Sequence, residues 1–221
     1  MRKRMGNPAG TPSEKALLCE VYERQFLELS RTRRYILSLL PLNSVKSVFE
    51  PGCGTGLLGK EILTLTDAAY TGMDIDPGIL PEDGHFIAGD ALNDHPEADI
   101  YLTSFFFSSI SDPVKWLRKI SADLFAVIAE YDYQRIEEKP VRGIAEKLRT
   151  VLSEQGLSTV HGGFLDQYFA EAGYRKIHGG EVESSFQEPD PEFLVMHIKD
   201  LPDELPLMKW RIVWGIWRKE R

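Results

Sequence analysis

Apolar positions recur at helical spacing over residues 13–40, with Leu17, Leu18, Val21, Tyr22, Phe26 and Leu27 on one side. A second stretch, Tyr35, Ile36, Leu39 and Leu40, follows, and Pro41 stops it. Val45, Val48 and Phe49 then begin a short apolar run that predicts a buried strand, with Glu50 at its end. Leu57, Leu58, Ile62, Leu63 and Leu65 return to a helical stripe. Further strands are predicted over 69–73, 85–88, 99–107 and 124–130, the last continuously apolar, as suits a strand buried on both faces. Between the last two, Asp112 and Pro113 cap a helix that carries Val114, Trp116, Leu117 and Ile120. A charged helical insertion is predicted over 137–155, ending at Gly156. After it come a helix over 163–172, closed by Gly173, and a sixth strand over 174–183. Residues 209–219 alternate, with Trp210, Ile212, Trp214 and Ile216 on one face, and predict a seventh strand. Strands interleaved with helices imply an α/β fold.

The segment 48–56, Val-Phe-Glu-Pro-Gly-Cys-Gly-Thr-Gly, joins the first of these strands to its helix. Gly52, Gly54 and Gly56 allow positive φ and remove the β-carbons that would block a ligand. Such a turn brings backbone amides and a helix N-terminus close to a bound small molecule, so a nucleotide-like cofactor is expected. Cys53 lies inside the turn, where its small size matters more than its thiol. The run 54–59 also satisfies the G-x-G-x-x-G dinucleotide pattern, which alone is a weak signal. Glu50, two residues before the first glycine, would gain a phosphate-binding turn nothing, whereas it suits a cationic ligand. No basic residue interrupts the turn; Lys60 is the first.

Here the chain resembles the class I S-adenosylmethionine-dependent methyltransferases, whose first motif has the form acid-x-Gly-x-Gly-x-Gly. The resemblance implies a Rossmann-like, seven-stranded, mostly parallel sheet with helices on both faces, its last strand antiparallel and inserted beside the sixth. It implies S-adenosylmethionine as cofactor, with Glu50, Gly52, Cys53, Gly54 and Gly56 around the amino-acid end. Asp74 closes the second strand eighteen residues after Gly56, and the resemblance gives it the ribose hydroxyls, with Ile75 beside it. Asp76, followed by Pro77, is the competitor, but it reads better as a helix N-cap. At the end of the third strand, Asp90 and Ala91 inherit the adenine edge. Tyr22 resembles an N-terminal tyrosine that relatives fold over the cofactor. The basic cluster Arg31, Arg33, Arg34 reads as a solvated helix face, with binding of the donor's carboxylate by one of the three as the alternative. Phe169-Ala-Glu-Ala-Gly-Tyr174 resembles the turn before strand six in small-molecule methyltransferases. Ser121-Ala122-Asp123 stands where many relatives carry Pro-Gly-Gly.

The acceptor wall is expected at the end of the fourth strand, in the run 103–109. Ser104 would touch the cofactor, and Phe105, Phe106 and Phe107 would shape an apolar pocket or face a cationic donor, with core packing the alternative. Glu130 and Tyr131, at the end of strand five, are the candidates for a general base. No metal is expected: phenylalanines and serines stand where a catechol-type metal site would want acids. His161, His178 and His197 are scattered over separate elements, so surface or packing roles are expected for them.

Composition narrows the rest. The 221 residues, 43% hydrophobic, suffice for one α/β domain spanning 1–221, with a helical cap over 1–44 and a core over 45–221 that carries the 137–155 insertion. No apolar run approaches the ~20 residues needed to span a bilayer, so no membrane role is expected. Arg2-Lys3-Arg4 is not followed by an apolar segment and does not read as a signal peptide. Two cysteines, Cys19 and Cys53, suit a reducing cytoplasm. A net charge of −8 argues against a nucleic-acid partner, leaving a small molecule or a protein side chain as methyl acceptor. Two rivals share these features: a non-catalytic S-adenosylmethionine-binding partner or regulatory subunit, and an NAD(P)-dependent oxidoreductase.

Overall fold

The computed structural model describes residues 12–220; the basic segment at residues 2–4 and Arg221 lie outside them. Two helices lead, α1 (Pro12–Glu28) and α2 (Ser30–Ser38), the helical run of 13–40 breaking at Leu29. Then β1 (Ser47–Pro51), α3 (Leu57–Leu63), β2 (Ala69–Asp74), β3 (Phe86–Ala88), β4 (Ile100–Ser104), α4 (Pro113–Leu117) and β5 (Leu124–Tyr131) alternate. The chain continues through β6 (Glu137–Lys139), α5 (Ile144–Glu154), α6 (Leu165–Glu171), β7 (Tyr174–Glu183), α7 (Pro191–His197), β8 (Leu207–Lys209) and β9 (Arg211–Lys219).

Seven strands form one sheet in the order β3-β2-β1-β4-β5-β9-β7. The first five are parallel, and β9 runs antiparallel to both neighbours. The expected antiparallel strand beside the sixth is therefore present. Strand order reverses between β1 and β4, and a crevice opens outside the carboxyl ends of the strands at such a switch point. Alternation sorts the core into two layers. Phe49, Tyr101, Phe125 and Val127 face one layer with Trp116, Phe169 and Trp217. Val48, Ile100, Leu102, Ala126 and Ile128 face the other, against Ile36 and Ile62. Phe169 stacks on Trp217 at 4.0 Å between centroids and 5° between planes. A third cluster, with Val21, Tyr133, Leu148, Leu194 and Met208, packs α1, α5 and α7 together above the crevice.

The structure corrects several boundaries. β4 stops at Ser104 rather than running to 107. Phe105 takes φ 53°, and a 3-10 turn follows over Phe107–Ser109. The insertion is not one helix. Residues Glu137–Lys139 pair with Leu207–Lys209 in a small ribbon, and α5 starts at Ile144 because Glu138 accepts the N–H groups of Arg142, Ile144 and Ala145. No helix follows Asp76-Pro77; Asp76 instead accepts the Gly78 N–H and pairs with Lys15 of α1 at 3.0 Å. Helix α7 was not anticipated, although Asp190-Pro191 carries its cap: Asp190 accepts the N–H groups of Glu192 and Phe193.

Candidate functional site

The glycine turn is locked onto β2 by its own amides. Gly52 and Cys53 donate N–H to the Met73 carbonyl at 2.8 and 3.1 Å, and Gly54 donates to Asp74 Oδ2 at 2.9 Å. Gly54 holds φ 53°, and a β-carbon there would lie 3.3 Å from the Tyr22 ring, in the space between turn and α1. Gly56 sits deeper: a β-carbon there would come within 2.6 Å of Phe86. Glycine at 56 thus serves packing, whereas at 54 it keeps the cleft open.

Three carboxylates surround this turn. Glu50 is 2% exposed and accepts the Tyr70 hydroxyl. Burial pushes it up to about 8, against the Tyr70 hydrogen bond and with help from the Asp74 charge. Asp74 is half-buried, its Oδ1 accepting the Asp76 N–H at 3.0 Å. Burial raises its pKa, and the N–H bonds from Asp76 and Gly54 oppose that rise. Asp90 Oδ1 accepts the Leu92 N–H at 3.1 Å and Oδ2 the Asn93 amide at 2.9 Å. Ala91 is buried, its carbonyl taking the Trp116 Nε1–H at 3.0 Å.

The carboxylates line two adjoining pockets, an inner and an outer chamber of the cleft. The inner chamber is lined by Glu50, Gly52, Cys53, Gly54, Asp74 and Ser104. The outer one is lined by Asp74, Ile75, Asp90, Ala91 and Phe106. Leu18, Tyr22, Gly52, Asp74 and Phe105 line both and form the junction. Helices α1 and α7 roof the inner chamber with Val21, Gln25, Phe26, Phe193, Met196 and His197. They are tied by Arg24, which pairs with Asp190 at 2.9 Å and with Glu192.

No protein-family model matches this sequence, and no curated protein does. Solved structures do. An S-adenosylmethionine-dependent methyltransferase from Mesorhizobium loti is similar with TM-score 0.52 at 16% identity, over 84% of this chain and 96% of that one. The plantazolicin methyltransferase BpumL, solved with S-adenosylhomocysteine, is similar with TM-score 0.58 at 15% identity, over 96% and 93% of the two chains. This chain has the class I methyltransferase fold. A Pyrococcus horikoshii protein described as a candidate RNA methyltransferase is similar too, with TM-score 0.52 at 15% identity over 87% and 81% of the chains. The methyltransferase fold by itself therefore leaves the acceptor open.

Within this methyltransferase fold, Glu50, Gly52, Cys53, Gly54, Asp74, Ile75, Asp90, Ala91, Ser104 and Tyr22 all line the cleft. Gly56 lines neither chamber and lies against Phe86 and Pro81 instead. Phe105 stacks on Tyr131 at 4.7 Å, and Tyr131 accepts a hydrogen bond from Gln25 at 3.2 Å, so both stand in the wall. Phe106 faces the outer chamber, and Phe107 is fully buried among Trp116, Phe125 and Phe169. Phe107 is thus core, not acceptor pocket. Glu130, 1% exposed, accepts the Phe107 N–H at 2.8 Å and lines neither chamber. It caps the turn that ends β4, so it is set aside as a base. Of the arginine cluster, only Arg33 lines the cleft; it is buried, lies 3.4 Å over the Phe26 ring and pairs with Glu61 at 2.6 Å. Sequence reasoning missed Gln25, Phe193 and Met196. Phe193 and Met196 had one signal, the Asp190-Pro191 cap, which announces α7 without saying what it covers.

Proposed function

We propose that this protein is an S-adenosylmethionine-dependent methyltransferase acting on a nucleophilic atom of a small, largely apolar molecule. One observation carries the reading: carboxylates from three successive strand ends, Glu50, Asp74 and Asp90, line two adjoining pockets that share Asp74 and Gly52 of the glycine turn. The cleft suits the donor chemically. Gly54 offers a cradle that a β-carbon would crowd against Tyr22, and Asp76 Oδ2 is a buried oxygen without a partner beside the outer chamber. Glu50 and Asp74 would meet the donor's positive charge and ribose, Asp90 and Ala91 its adenine, and Arg33 its carboxylate. When bound, the donor supplies an already activated methyl group. The chain then has to orient the acceptor and exclude water, and positioning alone can contribute effective molarities of roughly 10⁵–10⁸ M.

The roof favours a small acceptor. Tyr22, Phe26, Phe105, Tyr131, Tyr133 and Phe193 enclose the inner chamber with apolar surface, where a polymer segment would meet two helices tied by Arg24. The net charge of −8 argues in the same direction against nucleic acid. Among the described residues, no helix is long and apolar enough to cross a membrane. Thermal melting with S-adenosylhomocysteine and with NAD tests the reading. Stabilisation by S-adenosylhomocysteine alone supports it; stabilisation by NAD alone would replace it with an oxidoreductase. Release of S-adenosylhomocysteine from S-adenosylmethionine in cell extract separates an enzyme from a binding subunit.

A further inference from the structure

Between the 3-10 turn His161–Phe164 and strands β7 and β9 lies a groove of about 520 Å³ that shares no lining residue with either chamber. Asp132, one residue beyond β5, stands in it with its side chain only 3% exposed. Its one ion-pair partner among the described residues is Arg135, at 3.9 Å, too far for a hydrogen bond. Arg135 is turned instead to Glu181 at 3.0 Å, and the other cation of the rim, Lys176, to Asp166 at 2.8 Å. Burial raises the pKa of Asp132, against the charge of Arg135 and the Gln134 N–H. Glycine is required at 162, because a β-carbon there would run into the Tyr131 carbonyl. A β-carbon on Gly163 would lie 3.6 Å from both Asp132 carboxylate oxygens, so glycine leaves that side of the carboxylate open to the groove. Apolar lining stands beside it. Phe164 is exposed, Val213 is half-buried, and Trp217 is buried with its Nε1–H lacking an acceptor among the described residues.

We propose that this groove is a second binding site, separate from the donor cleft, for a small aromatic molecule carrying a primary ammonium group. The ammonium donates to Asp132, and the ring lies against Phe164 and Val213 beside the Trp217 indole. A buried carboxylate without a bonded cation is costly to hold, and an ammonium at hydrogen-bond distance offsets that cost. Hydrogen bonds between oppositely charged groups are also the strong ones. A metal ion would want three or more ligating side chains, and no such group of His, Cys, Asp and Glu forms among the described residues. An anion would meet Asp132, Asp166 and Glu181 against two cations that are already paired. An aliphatic ammonium would leave Phe164 uncovered, whereas a flat ring gives it an offset-stacked partner. Asp132 directly follows Tyr131, which stands in the wall of the inner chamber, so one stretch of chain backs both sites. The site does not depend on the methyltransferase reading.

Proton–nitrogen spectra of the intact chain, titrated with 2-phenylethylamine and separately with its neutral isostere 2-phenylethanol, test this. The expected result is saturable movement of the Gly163 amide and Trp217 indole N–H signals on adding the amine. The alcohol should bind about tenfold more weakly or worse, having no charge to offer Asp132. Asp132→Asn, which keeps the shape and removes the charge, should weaken amine binding by about tenfold or more. Gly163→Leu, which keeps the carboxylate and fills the groove, should weaken it as well. In both variants S-adenosylhomocysteine affinity in calorimetry should stay within about twofold of the parent. No movement at Gly163 and Trp217, equal binding of amine and alcohol, or equal amine affinity in parent and Asp132→Asn would overturn the proposal. So would movement confined to cleft residues such as Tyr22 and Cys53. If S-adenosylhomocysteine binds none of the three proteins, the methyltransferase reading fails instead, and the amine titration stands apart from it.

Discussion

Gly54 donates its backbone N–H to Asp74 Oδ2 at 2.9 Å, so the turn after β1 and the end of β2 are one hydrogen-bonded unit. Neighbouring parallel strands make this possible: Glu50 pairs with Gly72 and Pro51 with Met73, which places the turn directly beside Asp74. Asp74 is half-buried and keeps an open side toward both chambers. Asp74→Ala should therefore weaken S-adenosylhomocysteine binding by tenfold or more, since hydrogen bonds to a charged group contribute about 1.5–3 kcal/mol. Calorimetry reads the effect directly. Equal affinity in parent and variant would defeat the ribose assignment.

Glu50 links binding to pH. Its pKa in the empty protein is raised from the ordinary 4.5 to about 8, with burial the main cause. A raised pKa means that the stability it contributes is fully present below 4.5 and is lost as pH rises through 8. A cationic donor favours the ionised form, so donor binding should release a proton below pH 8 and tighten as pH rises toward that value. Calorimetry of S-adenosylhomocysteine, whose amino group is cationic, in two buffers of different ionisation enthalpy measures that proton. Glu50→Gln should abolish the release. Glu130, also pushed up to about 8 by burial, lines neither chamber, so Glu130→Gln should leave the release intact while flattening the pH dependence of melting.

Gly54→Ala separates folding from binding. At φ 53° an alanine is strained by roughly 1–2 kcal/mol, which in a chain of this size lowers the melting temperature by about 2–4 °C per kcal/mol. Its β-carbon would stand 3.3 Å from Tyr22, at the inner chamber that Gly54 lines. A folded variant with affinity for S-adenosylhomocysteine reduced well beyond the modest melting shift is expected. Circular dichroism and calorimetry on the same sample check both halves.

The seven strands of the main sheet and the glycine turn were legible because local signals and tertiary demand coincide there, whereas the β6–β8 ribbon was not. A run such as 124–130 has one way to be buried, and glycines at 52, 54 and 56 are what the backbone angles require. The acceptor side was less legible. Phe105, Phe106 and Phe107 read alike in sequence, yet the positive φ of Phe105 sends the three to the wall, the outer chamber and the core. That split depends on Glu130 capping the turn from a neighbouring strand, a contact between residues 23 positions apart. Residues 191–197 were too short and too mixed to declare a helix, and the partners that stabilise it, Arg24 and Val21, come from the opposite end of the chain.

A crystal structure with S-adenosylhomocysteine bound measures the central claim most directly. The account predicts the ribose hydroxyls on Asp74, the adenine between Ile75 and the Asp90–Ala91 turn, and the amino-acid end over Gly52 and Gly54. The ligand lodged elsewhere with this cleft empty, or lying in the cleft with its ribose away from Asp74, would contradict it.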